Sequence, residues 1–262
     1  MHYVVIVVIG FVAGVITGLI GASGVMVTVP ALTRIGYSVF DSIGASLFID
    51  TVVSLVVAWT YYQNGNLNLK QGWWIGLGSV LGAQIGSIIS PHISEGGLSN
   101  LFGIFLIAAA VIFWMRKEKE ESDEEKSAAT NKEGGIIKIL RKNIIISGLL
   151  LGTLVGIISG LLGAGGGVMI LLILVFVMGY TMHEGVGTST LIMAFTAASG
   201  AIGHAMTGNL PIKAAIYGAV GTIIGGRFAA RFANRVNETV LGKIVGGVFG
   251  ALGVIMLFGF GK

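Results

Sequence analysis

Long apolar runs separated by short polar stretches are the main pattern of this chain. The runs cover about 2–20, 24–35, 43–62, 71–90 and 98–115 in the first half, and about 143–162, 166–179, 186–206, 212–230 and 241–260 in the second. Because a spanning helix needs about 20 apolar residues, the pattern predicts an all-α integral membrane protein with 8–10 segments. The second run of each half is short for a full crossing, so it is a half-helix, a re-entrant segment or the continuation of a broken first helix.

The two halves repeat each other along the sequence. A shift of 143 residues aligns Gly65-Asn66-Leu67 with Gly208-Asn209-Leu210, and upstream a shift of 142 aligns Gly21 with Gly163. The fold is therefore expected to be two homologous repeats of 4–5 segments each, an arrangement typical of secondary transporters. Five apolar segments per half favour inverted repeats, while charge leaves parallel repeats open.

Charge is concentrated between the halves. Eight of the sixteen Lys and Arg residues and seven of the twelve acidic residues lie within 116–142. Such a stretch cannot bury apolar surface and is predicted to be a solvated linker. The expected division is a first membrane repeat at 1–115, the linker at 116–142 and a second membrane repeat at 143–262. Since both ends of the linker are basic, the positive-inside rule places it in the cytoplasm.

Composition excludes several functional classes. The chain is 54% hydrophobic and 11% charged, whereas soluble domains carry about 25% charged residues. The formal charge of +4 does not form one basic face, so no nucleic-acid partner is expected. There are no cysteines, and the four histidines do not form a metal or acid–base constellation. We therefore predict no enzyme activity, no cofactor and no metal site.

A glycine cluster interrupts the first segment of each half. Glycine frees the backbone to leave the helix, and a break at membrane depth is tolerated where it is buried in protein or lines a wet cavity. A new helix starting there would direct free N–H groups and a positive dipole end at the break, which favours a small anion. The alternative is close helix packing. The candidate binding residues at the two breaks are Gly21, Ser23, Gly24, Gly163, Gly165 and Gly166.

These elements resemble a known family. Thr17-Gly18-Leu19-Ile20-Gly21 with Gly44-Ala45-Ser46, and Ser159-Gly160-Leu161-Leu162-Gly163 with Gly187-Thr188-Ser189, are similar to the repeated motif of the TauE/SafE sulfite exporters. The resemblance covers both halves outside the linker. It implies a bacterial inner-membrane protein that handles sulfite, sulfoacetate or other sulfur-containing anions.

Hydroxyl and guanidinium groups extend the candidate site. Ser46, Thr188 and Ser189 lie near helix starts and could donate hydrogen bonds to an oxyanion; the alternative is capping and helix–helix bonding. Arg227 lies inside an apolar helix and could hold a sulfite or sulfonate bidentately. Its alternative role is to reach the lipid headgroups.

Two titratable residues are candidates for proton coupling. Asp50 lies inside the run Leu47 to Trp59, and an intramembrane carboxylate is a functional candidate by default. His204 lies towards the end of the segment 186–206. The alternatives are a neutral carboxyl bonded to a neighbouring helix for Asp50 and a plain hydrogen-bonding role for His204.

The combined prediction is a secondary transporter that exports a small sulfur-containing anion with proton coupling, by alternating access between two repeats. The alternatives are a transporter or channel for another small solute or a metal cation, and an accessory membrane subunit. The expected partners are a small anionic solute and the lipid bilayer, with a homodimer left open beside a monomer. The expected location is the bacterial inner membrane, crossed several times.

Overall fold

A computed structural model describes residues 2–89, 104, 106–114, 143–162 and 166–259. The predicted linker at 116–142 and the candidate residues Gly163 and Gly165 lie outside the described residues. The described part consists of helices and connecting turns and contains no strand.

Ten helical segments follow one another along the described chain. The first half contains α1 (His2–Ile20), α2 (Val25–Arg34), α3 (Val39–Gln63), α4 (Leu69–Ile89) and α5 (106–114). The second half contains α6 (Ile144–Leu162), α7 (Gly167–Leu172, continued by a π-helical turn at Ile173–Val177), α8 (Met182–Met206), α9 (Ile212–Ala233) and α10 (Glu238–Gly259).

The helices α3 and α8 begin about four residues before the apolar runs that predicted them, because polar residues cap them. Ser38 Oγ accepts a hydrogen bond from the Asp41 N–H (3.0 Å) at the start of α3. Thr181 and Glu184 form a reciprocal capping box at the start of α8. These caps satisfy backbone donors that would otherwise be unpaired in the first turn. Hydropathy alone therefore placed the two starts too late.

Each half begins with a helical hairpin. Gly24, just before α2, lies against Ala13 in the middle of α1, since a Cβ built on Gly24 would lie 2.6 Å from the Ala13 Cβ. Further along α2, Leu32 packs in one cluster with Ile6 near the start of α1. The helix α2 therefore runs back along α1. In the second half, Gly166 lies in the same way against Val155 of α6.

The halves interlock through close helix seams. Along α1 and α9, Gly10 faces Gly218 and Gly18 faces Ala230, so the two helices run parallel. The helices α4 and α6 also run parallel, since Gly152 approaches Ile75 and Gly156 approaches Ser79. Glycines along such seams let two backbones approach closely.

The helices α3 and α8 pack against each other in opposite directions. Gly187, near the start of α8, lies against Tyr61 near the end of α3, and Gly44, near the start of α3, lies against His204 near the end of α8. The two 25-residue helices therefore cross the centre of the molecule antiparallel to each other.

These directions define two faces of the molecule. One face carries Trp114 and Asn143, the last and first described residues on either side of the linker, together with the loop 64–68; we call it the linker face. The other carries the start of α3 and the loop 207–211, and we call it the opposite face.

The outside of the bundle is apolar and its inside contains polar groups. Large side chains such as Leu81, Leu150 and Phe228 are 63%, 62% and 70% exposed, whereas Asp50 and Thr222 are fully buried. This distribution is the reverse of that in a soluble protein, and lipid would cover such a surface. Four described helices have the length and apolar composition to cross a bilayer, over Tyr3–Ile20, Val39–Gln63, Met182–Met206 and Glu238–Ile255.

Candidate functional site

Asp50 lies at the first glycine break and occupies the N-terminal end of α2. Its carboxylate accepts a hydrogen bond from the Ser23 hydroxyl and another from the Gly24 N–H at 3.2 Å. The Ser23 Oγ in turn accepts the Val25 N–H at 3.1 Å. A carboxylate is stabilised at a helix N-terminus by the dipole and by the free N–H groups. The chain therefore provides its own anion at the position where the sequence predicts an external one.

The described end of the second glycine cluster meets the first break. Gly167, the first residue of α7, lies so close to the loop of the first break that a Cβ on it would be 2.6 Å from the Gly21 carbonyl oxygen. The same carbonyl oxygen accepts a hydrogen bond from Ser189 Oγ at 3.3 Å. Gly21 itself has φ +62°, a conformation that favours glycine. The loop of the first break, the start of α7 and α8 thus meet in one buried region.

The two breaks differ in charge. At the position equivalent to Asp50, α8 carries Met193, and a Cβ on Gly167 would be 2.7 Å from its sulfur. Gly166 precedes α7 in a left-handed conformation (φ 71°), and no described side chain caps this helix. The site therefore has one side lined by a carboxylate and a hydroxyl and one side lined by a thioether and backbone groups.

Other predicted residues lie at varying distances from the breaks. Ser46 is fully buried one turn before Asp50, and its Oγ has no hydrogen-bond partner among the described residues. His204 lies at the far end of α8 near Gly44, with its Nδ1 buried and unpartnered in the described chain. Arg227 lies on the exposed face of α9 beside the exposed Phe228. The structure thus groups Ser46 with Asp50, places His204 beside Gly44, and leaves the Arg227 side chain on the exposed face of α9.

Thr188 has a different environment from the one the sequence predicts. Its Oγ1 accepts the Asn68 N–H (3.0 Å) and donates to the Asn68 carbonyl oxygen (3.1 Å). The Asn68 side chain also donates to Glu184 Oε1 at 3.3 Å, and Asn66 Nδ2 donates to Asn234 Oδ1 at 2.7 Å. These five residues, which we call the polar latch, fasten the loop 64–68 to the second half on the linker face.

The equivalent loop on the opposite face, 207–211, is connected differently. Its Asn209 side chain donates to Thr207 Oγ1 within the loop itself (3.1 Å). The residue equivalent to Asn68 is Pro211, which has no N–H to donate. The residue equivalent to Thr188 is Ala45, which has no hydroxyl. The opposite face therefore lacks the residues for the same latch, although its loop packs closely on α3, since a Cβ on Gly44 would overlap the Asn209 carbonyl oxygen.

Sequence reasoning missed the polar latch and Ser54. Each latch contact joins residues more than 100 positions apart, and the asparagines of the loop look like ordinary turn residues. Ser54 is fully buried and unpartnered in the described chain. Its four-residue spacing from Asp50 was the available signal.

The apolar exterior, the spanning helices and the buried polar centre define a multi-pass membrane protein. The family model "Sulfite exporter TauE/SafE" matches residues 6–256. The chain belongs to this family of membrane transporters.

Curated relatives agree with this assignment. "Probable membrane transporter protein YdhB" of Bacillus subtilis (strain 168) is 25% identical over 261 residues, covering 97% of this chain and 99% of that protein. "Probable membrane transporter protein MJ0441" of Methanocaldococcus jannaschii is 26% identical over 269 residues, covering 96% of this chain and 94% of that protein. No solved structure gives a significant match. Family and relatives are transporters and not enzymes.

Proposed function

We propose that this transporter exports a small sulfur-containing anion, such as sulfite, sulfoacetate or another organosulfonate, and that protonation of Asp50 is coupled to its movement. The observation that carries the proposal is the buried Asp50 carboxylate on the α2 N-terminus, in the region where the two breaks meet. The family name, which refers to sulfite export, supports the substrate class.

The proposed coupling follows from competition between two anions. While Asp50 is ionised, its carboxylate occupies the Gly24 N–H and repels a second negative charge. A proton on Asp50 removes that charge and leaves the helix N-terminus free to stabilise a substrate oxyanion. The anion and the proton therefore bind together and move in the same direction.

Membrane potential can drive export under this scheme. A divalent anion that moves with one proton carries a net charge of −1. In a cell that is negative inside, outward movement of that charge is favourable by about 2.3 kcal/mol per 100 mV. The outward direction thus does not require an opposing flow of protons.

We further propose that the two halves are inverted repeats that alternate access to the site. Equivalent helices α3 and α8 run in opposite directions, and α1 and α6 each pack on the fourth helix of the other half. The difference between the latched linker face and the opposite face supports a structure that is closed on the linker face. Basic residues at both linker ends favour a cytoplasmic linker in a bacterial inner membrane.

A ligand panel tests the substrate class. Thermal unfolding of the purified protein is measured with sulfite, sulfoacetate, taurine, thiosulfate and sulfate, each against sodium chloride of equal ionic strength. We expect sulfite or a sulfonate to raise the Tm, because a ligand at 100 times its Kd stabilises the folded state by about 2.7 kcal/mol. If no anion stabilises the protein while a divalent cation does, the anion proposal is wrong.

Cross-linking the polar latch is predicted to stop transport. In Asn68→Cys/Glu184→Cys, a short, reducible bis-thiol reagent should join the loop 64–68 to α8 and lower substrate uptake at least about tenfold, because the linker face can no longer open. Since the chain has no native cysteine, Asn68→Cys and Glu184→Cys alone serve as matched controls. Reductant should restore uptake. Normal uptake by a fully cross-linked protein would contradict the proposal that the linker face opens during transport.

A further inference from the structure

A spiral of polar side chains runs along α3 from its first turn to its middle. Each member follows the last by four residues, which places neighbouring side chains about 5–6 Å apart. The members are Ser38, Ser42, Ser46, Asp50 and Ser54.

Burial changes sharply along this spiral. Ser38 is the exposed cap residue on the opposite face, and its carbonyl oxygen accepts a hydrogen bond from Ser42 Oγ at 2.8 Å. Ser42, Ser46, Asp50 and Ser54 are each fully buried. The hydroxyls of Ser46 and Ser54 have no hydrogen-bond partner among the described residues. An unsatisfied buried hydroxyl is costly and indicates a functional role or a bound water.

The spiral has an open end and a closed end. It reaches the surface at Ser38, whereas four residues beyond Ser54 the side chain is Ala58. The equivalent positions on α8 are Thr181, Gly185, Ser189, Met193 and Ala197, which do not form a polar series. The polar series is therefore specific to α3.

We propose that Ser42 and Ser46 form a hydrated proton path that connects the opposite face to Asp50. This inference rests on the proposed coupling role of Asp50. It adds the route that the proton takes to Asp50 and the side of the membrane from which it enters. Hydroxyl groups accept and donate hydrogen bonds, so with water between them they can pass a proton to the carboxylate. With a cytoplasmic linker, the path opens to the outside of the cell.

Other titratable groups near the path lie on the elements packed around α3. The short helix α2 carries Arg34 at its far end, and α9 carries Lys213, Tyr217, Arg227 and Arg231, all exposed. The helix α8 carries His183, Glu184 and His204, of which His204 lies near Gly44, and α1 carries Tyr3. The side-chain hydrogen bond to Asp50 comes from Ser23. The experiments therefore substitute the hydroxyl residues of the path and leave these titratable groups unchanged.

Cysteine labelling tests the route without a substrate. Cysteines are placed singly, and a charged, membrane-impermeant methanethiosulfonate is applied to intact cells or to inside-out vesicles. Thr207→Cys and Asn64→Cys, exposed at equivalent positions of the two loops, mark the opposite face and the linker face. We expect Ser42→Cys and Ser46→Cys to react from the side marked by Thr207→Cys.

Two buried neighbours are the matched controls. Ala45, adjacent to Ser46 and 0% exposed, packs against Leu32 and Ile6, and Ser54 lies beyond Asp50. Ala45→Cys should react at least about tenfold more slowly than Ser46→Cys, because it packs among apolar side chains, and Ser54→Cys likewise, because Asp50 lies between it and the opposite face. Equal rates at Ala45→Cys and Ser46→Cys, or labelling of Ser46→Cys from the linker face, would overturn the path.

Proton movement provides the second readout. In proteoliposomes containing a pH-sensitive dye, Ser46→Ala should slow substrate-dependent proton movement severalfold, while Ser54→Ala leaves it unchanged and Ser46→Thr restores it. Equal slowing by Ser46→Ala and Ser54→Ala would refute the route. If Ser46→Cys is labelled from the opposite face but no anion stabilises the protein, the path is retained and the substrate class is rejected. Failure of the path and failure of the proposed substrate are therefore distinguishable.

Discussion

Asp50→Asn should bind the anionic substrate with an affinity that no longer depends on pH. In the unsubstituted protein, one proton bound with each anion makes the affinity fall about tenfold per pH unit above the point where Asp50 loses its proton. Asparagine imitates the protonated carboxyl in charge and shape, and it can still accept from the Ser23 hydroxyl while the Gly24 N–H is left to the substrate. Substrate exchange is therefore retained, while the accompanying proton movement is lost.

The measurement compares ligand-induced stabilisation and counterflow over a range of pH. A sulfonate is the sharper probe, because sulfite itself takes up a proton near neutral pH. Met193→Leu, at the position equivalent to Asp50, is the matched control and should keep the pH dependence. A pH dependence that is unchanged in Asp50→Asn would eliminate Asp50 as the coupling group.

Gly221→Ala should cause a large loss of stability. A Cβ at Gly221 would overlap the carbonyl oxygen of Val7 and lie 2.8 Å from the backbone nitrogen of Phe11. Both contacts are with backbone, so the side chains cannot relieve them and α1 must shift away from α9. Overpacking of this kind costs about 1–3 kcal/mol, which lowers the Tm by about 2–10 °C for a chain of this size.

The matched control is Gly247→Ala on α10. A Cβ there meets no atom of the described residues within 4 Å, and alanine is favoured over glycine in a helix by about 1 kcal/mol. Gly247→Ala should therefore leave the Tm unchanged or raise it, as measured by thermal unfolding in detergent. Equal Tm values for Gly221→Ala and the unsubstituted protein would contradict the close contact between α1 and α9.

The glycine-rich segments contain both close helix packing and a polar site. From the sequence, these were two alternative interpretations of the same glycines. Gly18 packs against the backbone of α9, whereas Gly21, three residues later, adopts a left-handed conformation and presents its carbonyl oxygen to Ser189. The same motif therefore contains a seam and a break. Spacing alone does not separate them, because both require the absence of a side chain.

The candidate site was partly predictable. Asp50 was recognised because a carboxylate in an apolar run is unusual, and the glycine breaks because they recur at equivalent places. The interaction between Asp50 and Ser23 was not, since it joins residues 27 positions apart. Arg227 was selected by its charge, yet the rotation of α9 places it on the exposed face.

The sequence by itself determined the membrane class and the family, because hydropathy and glycine spacing are local properties. Only the tertiary structure decided that Asp50 occupies the N-terminus of α2, that Thr188 belongs to the polar latch, and that two hydroxyls beside Asp50 lack partners in the part of the chain that the structure describes. These facts depend on how helices rotate and approach one another. Packing sets those rotations through contacts between residues far apart in the chain.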